Sequence, residues 1–145
     1  MRYVNRNALV PYTAREMFVL VDDVQSYPEF LSWCKSALVH ERTDAIVEAT
    51  LELQKGAVSN KFTTRNARNE FSEIGISLVG GPFRTLQGGW TFSDLGEQGS
   101  KVALKLEFEF ENMLVDLMFG AFFEETCNSL VDAFTGRAVQ IFGAR

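Results

Sequence analysis

The stretch Val102-Ala103-Leu104-Lys105-Leu106-Glu107-Phe108-Glu109-Phe110-Glu111-Asn112-Met113-Leu114-Val115 decides the fold. Up to Phe110 the even positions are apolar. The odd positions carry Lys105, Glu107, Glu109 and Glu111, broken only by Ala103. A strict period of two is the pattern of a strand with one wet face and one buried face. From Met113 the pattern becomes helical and stays so almost to the C-terminus, with Asn112 placed as N-cap and Gly143 as stop. About 30 residues at 1.5 Å each predict a rod roughly 45 Å long. Its second half carries an apolar stripe of Cys127, Leu130, Val131, Phe134, Ala138, Ile141 and Phe142, opposite Glu124, Asn128, Asp132 and Gln140. Its first half, Leu114 to Phe123, is apolar almost all round. A second surface is therefore expected to bury it: short helices, a partner or a ligand.

Upstream, residues 2–10 read as extended. Thr13-Ala14-Arg15-Glu16 is a capping box opening a short helix that ends at Asp22-Asp23, and Ser26-Tyr27-Pro28-Glu29 reads as a second box. Consecutive strands follow. Val47, Ala49, Leu51 and Leu53 share a face in 46–53, and Phe62 anchors a polar strand over 58–69. Ile74, Ile76 and Leu78 alternate in 73–79. Leu86, Gly88, Trp90 and Phe92 share a face in 84–94, where Gly89 is expected to mark a bulge. A hairpin loop at 96–100 leads back to the opening strand. One strand, two short helices, about six consecutive strands and a long helix make an α+β chain with antiparallel pairing, expected to be a single domain over 1–145.

The formal charge of −5 argues against general affinity for nucleic acid, DNA included. Cys34 and Cys127 read as reduced buried thiols. No secretory or transit pattern opens the chain, and the most apolar run, Met113 to Phe123, is about half of the roughly 20 residues a spanning helix needs. A cytoplasmic protein is expected, with any membrane contact peripheral, at the inner face. The single His40 reads as a rim residue, and one histidine with two distant cysteines makes no standard zinc site. No nucleophile elbow, Walker A loop or dinucleotide fingerprint is present. Glu107, Glu109 and Glu111 read as a solvated outer face rather than a catalytic or metal cluster. No catalytic residue, metal or cofactor is expected.

Two constellations carry alternatives. Lys61, Arg65, Arg68 and Arg84 can gather on one edge as an RNA contact. They are interleaved with Glu70 and Glu73, so solvated strand positions are the default. The thirteen Phe, with Trp33, Trp90 and Tyr27, come from both sides of the expected helix–sheet sandwich. Large rigid rings can line a cavity that they do not fill. At about 0.8 kcal/mol per buried CH₂, each five-carbon prenyl unit contributes at most roughly 3–4 kcal/mol, so a long apolar ligand needs no catalytic apparatus to be held.

Val10-Pro11-Tyr12, Leu20-Val21-Asp22-Asp23-Val24, Tyr27-Pro28-Glu29-Phe30-Leu31-Ser32-Trp33-Cys34, Phe62-Thr63-Thr64-Arg65-Asn66, Gly80 with Pro82-Phe83-Arg84, Trp90 with Phe92, Phe108-Glu109-Phe110 and Val131-Asp132-Ala133-Phe134 with Arg137-Ala138 occur in order along the chain. Together they resemble the coenzyme-Q-binding, polyketide-cyclase-like proteins of the START superfamily, whose bacterial group is the ribosome association toxin (RatA) family. Ser32 departs from the proline common at that position. The resemblance implies a helix-grip fold, a curved antiparallel sheet wrapped around the C-terminal helix with two short helices closing one end. It also implies binding of ubiquinone or a similar polyprenyl lipid in support of respiration, or else interference with ribosomal subunit association as a toxin. The expected lipid lining is Phe30, Trp33, Leu51, Leu53, Phe62, Leu78, Trp90, Phe108, Phe110, Phe119, Phe123, Val131 and Phe134, with Tyr27 and Phe83 near the mouth. The expected ribosome contact is Lys61, Arg65, Arg68 and Arg84.

Overall fold

A computed structural model describes residues 1–145 except Gln98, so that part of the expected 96–100 loop lies outside the described residues. Strands β1 (Arg2–Val10), β2 (Cys34–Arg42), β3 (Ile46–Lys55), β4 (Val58–Asn69), β5 (Glu73–Gly80), β6 (Phe83–Asp94) and β7 (Ser100–Phe110) form one antiparallel sheet in the order β1-β7-β6-β5-β4-β3-β2. Each strand from β2 pairs with its successor, as short turns require, and β1 closes the far edge against β7 with Val4 opposite Leu106. The period of two is realised as burial. Val47, Ala49, Leu51 and Leu53 are buried on β3, and every even residue of β7 from Val102 to Phe110 is buried.

Two glycines shape the centre of the sheet. Gly89 does not mark a bulge: β6 keeps register through Gly88 opposite Leu106 and Gly89 opposite Lys105, and the shift falls between Phe83 and Thr85. Gly88 has φ +143°, and Cβ atoms at Gly88 and Gly89 would stand 2.0 Å from the Lys105 carbonyl oxygen and 2.3 Å from that of Ile74. The pair allows close backbone approach without adding a residue.

Helix α1 (Ala14–Asp22) is opened by the expected box. Thr13 Oγ1 accepts from the Glu16 amide at 3.1 Å, and Glu16 Oε1 accepts from the Thr13 amide at 2.9 Å. Arg145 grips the same carboxylate at 2.6 and 2.8 Å. Those bonds from Arg145, and then the Thr13 amide, hold Glu16 down to about 2 from an ordinary 4.5. A depressed folded-state value stabilises fully above the ordinary range and fades as pH falls toward the folded one. Glu16→Gln should therefore lower the urea midpoint near neutrality, and the gap to the native chain should close between pH 4.5 and 2. A gap that stays constant over that window would assign it to packing instead.

The second short helix differs from expectation. It is a 3-10 turn over Val24–Glu29, and Ser26 does not cap it; its hydroxyl donates to Asp23 Oδ2 at 2.6 Å. Pro28, inside the segment, has no amide to donate, which keeps the turn short.

The C-terminal helix is not one uniform rod. It runs as α2 (Met113–Val115), a wide π turn (Asp116–Gly120), α3 (Ala121–Asn128) and α4 (Leu130–Phe142). Asn112 caps it through the Val115 amide, and Gly143 stops it at φ +84°. The π turn coincides with Arg2 of β1, which binds Asp116 at 2.9 and 3.1 Å and Glu124 at 3.2 Å. A Cβ on Gly120 would meet the Arg2 guanidinium at 2.7 Å, so glycine leaves room for the ion pair. At the second interruption Ser129 donates its hydroxyl to the Thr126 carbonyl at 2.7 Å, competing with the helix ladder. Phe119, Phe123, Cys127, Val131, Phe134 and Ala138 still form one buried stripe against the sheet. Ile141, expected on that stripe, is exposed. The apolar start of the helix is not buried by the short helices either, with Met113, Leu114 and Leu117 at 83%, 67% and 80% exposure.

Candidate functional site

Between the stripe and the sheet lies a partly enclosed cavity of about 80 Å³. The sheet supplies Ala49 and Leu51 (β3), Phe62, Thr64 and Asn66 (β4), Ile76 (β5), Leu86 and Trp90 (β6), and Leu104 and Leu106 (β7). The helix supplies Phe123, Cys127, Leu130 and Phe134, and the 3-10 segment and the turn after it supply Val24, Tyr27 and Trp33. None of these side chains is charged. An outer groove of about 370 Å³ shares Trp33 with the cavity and continues over Ser32, Gln54, Lys55, Gly56, Phe122, Glu125, Thr126 and Ser129.

Seven residues expected to line a lipid site do meet at this cavity: Tyr27, Trp33, Leu51, Phe62, Trp90, Phe123 and Phe134. Phe108, Phe110 and Phe119 are buried in the core but do not line it, nor do Leu53 and Val131. Leu78 and Phe30 are half-buried; Phe30 packs edge-on to Phe134 at 5.2 Å beneath the Arg137 guanidinium. Phe83 is not at a mouth. It stacks on Phe110 at 4.6 Å and touches Phe62 and Phe123, closing the cavity with a plug of rings. The rings largely fill the space they enclose, because edge-to-face packing lets neighbouring quadrupoles interlock. At 80 Å³ the cavity is smaller than the roughly 300–1,000 Å³ typical of ligand pockets, so a prenyl chain enters only if the walls part.

Thr64 and Asn66 were missed, although they continue the inward parity of Phe62; their polarity hid them. Leu86, Leu104 and Leu106 were legible as inward residues but not as cavity residues, which depends on where the helix bends. Cys127 and Leu130 lie a helical turn from Val131 and Phe134 and carried that much signal.

The electrostatics are those of a neutral container. Burial pushes the thiol of Cys127 and the phenol of Tyr27 well up, and Cys34, outside the wall, rises to about 11. The Tyr27 hydroxyl donates to the Val21 carbonyl. Both titratable wall groups stay protonated near neutrality, which leaves no acid–base pair at the wall. Among the described residues no group of three or more His, Cys, Asp or Glu could hold a metal. His40 is exposed and bonded to Thr50 Oγ1 at 2.7 Å.

The four cationic residues do not form one free patch. Lys61 and Arg65 are exposed on β4, and Arg65 pairs with Glu48 at 3.2 Å. Arg84 lies beside Glu109 at 3.6 Å. Arg68 has the opposite parity on β4 and is locked to Asp22 at 2.9 and 3.0 Å, with only 12% of its side chain exposed.

A curved antiparallel sheet gripping a C-terminal helix around an apolar cavity defines a helix-grip, START-like protein. The model of the family described as polyketide cyclase / dehydrase and lipid transport matches residues 10–135, and the chain belongs to that family. It is 46% identical over 143 residues, 99% of each chain, to the ribosome association toxin RatA of Vibrio cholerae. It is 25% identical over 96% of its length to the coenzyme Q-binding protein COQ10 homolog B of Xenopus laevis, covering 59% of that protein. The Zhui aromatase/cyclase from a Streptomyces species superposes with a TM-score of 0.83 over 99% of each chain at 17% identity, a likeness of fold alone. Among the described residues no helix is long and apolar enough to cross a membrane.

Proposed function

We propose that the protein is a non-enzymatic carrier that holds ubiquinone or a related polyprenyl lipid between sheet and C-terminal helix. The observation that carries the reading is the uncharged, aromatic-walled cavity, which suits a neutral apolar guest and offers no acid–base pair. The relative named for coenzyme Q binding supports the choice of guest. Loading requires the walls to part, and α3 is suited to that. It carries Phe123 and Cys127 and lies between the π turn and the Ser129 interruption, two points at which a helix bends readily. Solvent extraction of the purified protein with mass spectrometry, joined to a titration with ubiquinone, tests the reading. Co-purified quinone or saturable binding is expected, and the lack of both would overturn it.

A carrier of this kind meets membranes at their surface, and the exposed Met113, Leu114, Leu117 and Met118 are the residues for that contact. The double change Leu114→Glu and Leu117→Glu should cut sedimentation with phosphatidylethanolamine–phosphatidylglycerol vesicles several-fold while leaving the circular dichroism melt in place. Unchanged sedimentation would reject this face.

A second reading has its own support in the 46% identity to a protein named as a ribosome association toxin. Here the outward Lys61, Arg65 and Arg84 touch the ribosomal subunit, with Glu48 and Glu109, the partners of the two arginines, displaced on contact. Sucrose-gradient profiles after overexpression discriminate: subunits that fail to associate, and re-associate when these three are reversed to Glu, favour the toxin.

A further inference from the structure

A buried hydrogen-bonding group without a partner pays its desolvation with no return, so such groups are rare and informative. Among the described residues two buried side-chain atoms lack partners, Ser100 Oγ and Trp33 Nε1. Only Trp33 lines the cavity, and because it also lines the outer groove it stands at their junction. Its backbone is fixed to β3, where the Gln54 amide donates to the Trp33 carbonyl at 2.8 Å. An indole N–H donates and cannot accept, so what it lacks is an acceptor atom.

The rest of the wall narrows the acceptor further. No cation lines it, and Lys55 of the outer groove donates its ammonium to the Met118 carbonyl at 3.1 Å, so a carboxylate or phosphate head drawn into the cavity would be buried unpaired at high cost. The Tyr27 hydroxyl is spent on Val21. The Thr64 hydroxyl donates to Asn66 Oδ1 at 3.2 Å, which leaves the Asn66 amide N–H groups as a second donor on the wall. Donors without charge, in apolar surroundings, complement a neutral molecule that carries carbonyl oxygen.

We infer that Trp33 is a ligand-binding residue whose indole N–H donates to a carbonyl oxygen of the bound lipid at the junction of cavity and groove. The tail then runs inward toward the ring plug at Phe83 and Phe123. This deepens the carrier reading and rests on it.

Decylubiquinone and decylbenzene, which share a ten-carbon chain on a six-membered ring, are the probes, titrated in one detergent into the native chain and into Trp33→Phe. The native chain should bind the quinone more tightly than the hydrocarbon. Trp33→Phe should lose roughly fivefold toward the quinone, the value of one neutral hydrogen bond, and nothing toward the hydrocarbon. Equal weakening toward both probes, or none toward either, would overturn the role of Trp33 while leaving the carrier reading standing. Failure of the native chain to bind either probe would remove both. Should Trp33→Phe fold poorly, the native chain still decides, because two tryptophans give only two indole signals by nitrogen-15 NMR. A downfield shift of the Trp33 indole proton with decylubiquinone but not with decylbenzene is expected, and identical responses to both would reject the bond.

Discussion

Gly88→Ala should unfold the chain or cost it more than about 3 kcal/mol, among the largest single effects available in this fold. The new Cβ would lie 2.0 Å from the Lys105 carbonyl oxygen and 2.9 Å from Leu106 Cα, both backbone atoms of the paired strand, at a φ of +143°. No rotamer relieves such a clash, and moving β7 disturbs Leu104, Leu106 and Phe108, which lie in the core. Gly89→Ala meets the Ile74 carbonyl oxygen at 2.3 Å and should behave likewise. Gly136→Ala, where a Cβ meets nothing within 4 Å, is the control and should be neutral to mildly stabilising because alanine favours the helix. Urea unfolding followed by circular dichroism measures all three. A loss of less than 1 kcal/mol at Gly88 would mean that the strands are not as closely apposed as this register requires.

The other large effect is expected at Phe134, 1% exposed, which meets Tyr27, Phe30 and Trp90 edge-on at 5.4, 5.2 and 5.3 Å. Phe134→Ala should cost about 3–5 kcal/mol, through lost transfer energy and the void left behind. Phe134→Leu should cost clearly less, since most of the volume remains. The void opens into the existing cavity rather than sealing itself off. The alanine variant should therefore bind apolar dyes more strongly than the native chain at temperatures where both are folded. A small loss in stability, or no change in dye binding, would count against a continuous cavity at this ring.

Both effects bear on how far the primary structure can be read. Period-two burial on β3 and β7, the capping box at Thr13 and Glu16, the Asn112 cap and the Gly143 stop are local devices. Each is set by residues a few positions apart, and each stands where the pattern puts it. Their order along the chain, with the family motifs, sufficed to predict a helix-grip sheet. What failed were features set by distant partners. Gly89 reads as a bulge because a lone strand does not reveal that Ile74 approaches within 2.3 Å of its would-be Cβ. The helix reads as one rod because Arg2, more than a hundred residues earlier, is what meets Asp116 beside Gly120. Ser26 is the local exception: its hydroxyl has two partners within reach, and it bonds Asp23, three residues back, instead of capping the turn ahead.

The functional site divides along the same line. Residue order alone makes one sheet face and one helix stripe apolar and rich in rings, since inward parity and helical spacing need no tertiary partner. It could not determine which rings fill the core and which border empty space. That depends on how edge-to-face packing resolves among residues from different elements. Phe83, Phe108 and Phe110 lock into a plug with Phe62 and Phe123, whereas Trp33, Trp90 and Phe134 are left around the cavity. Thr64 and Asn66 keep the inward parity of Phe62, but that they border the cavity was settled by the tertiary structure. It alone left the Trp33 indole N–H buried and without an acceptor, because a missing partner is a property of three-dimensional surroundings and not of any motif.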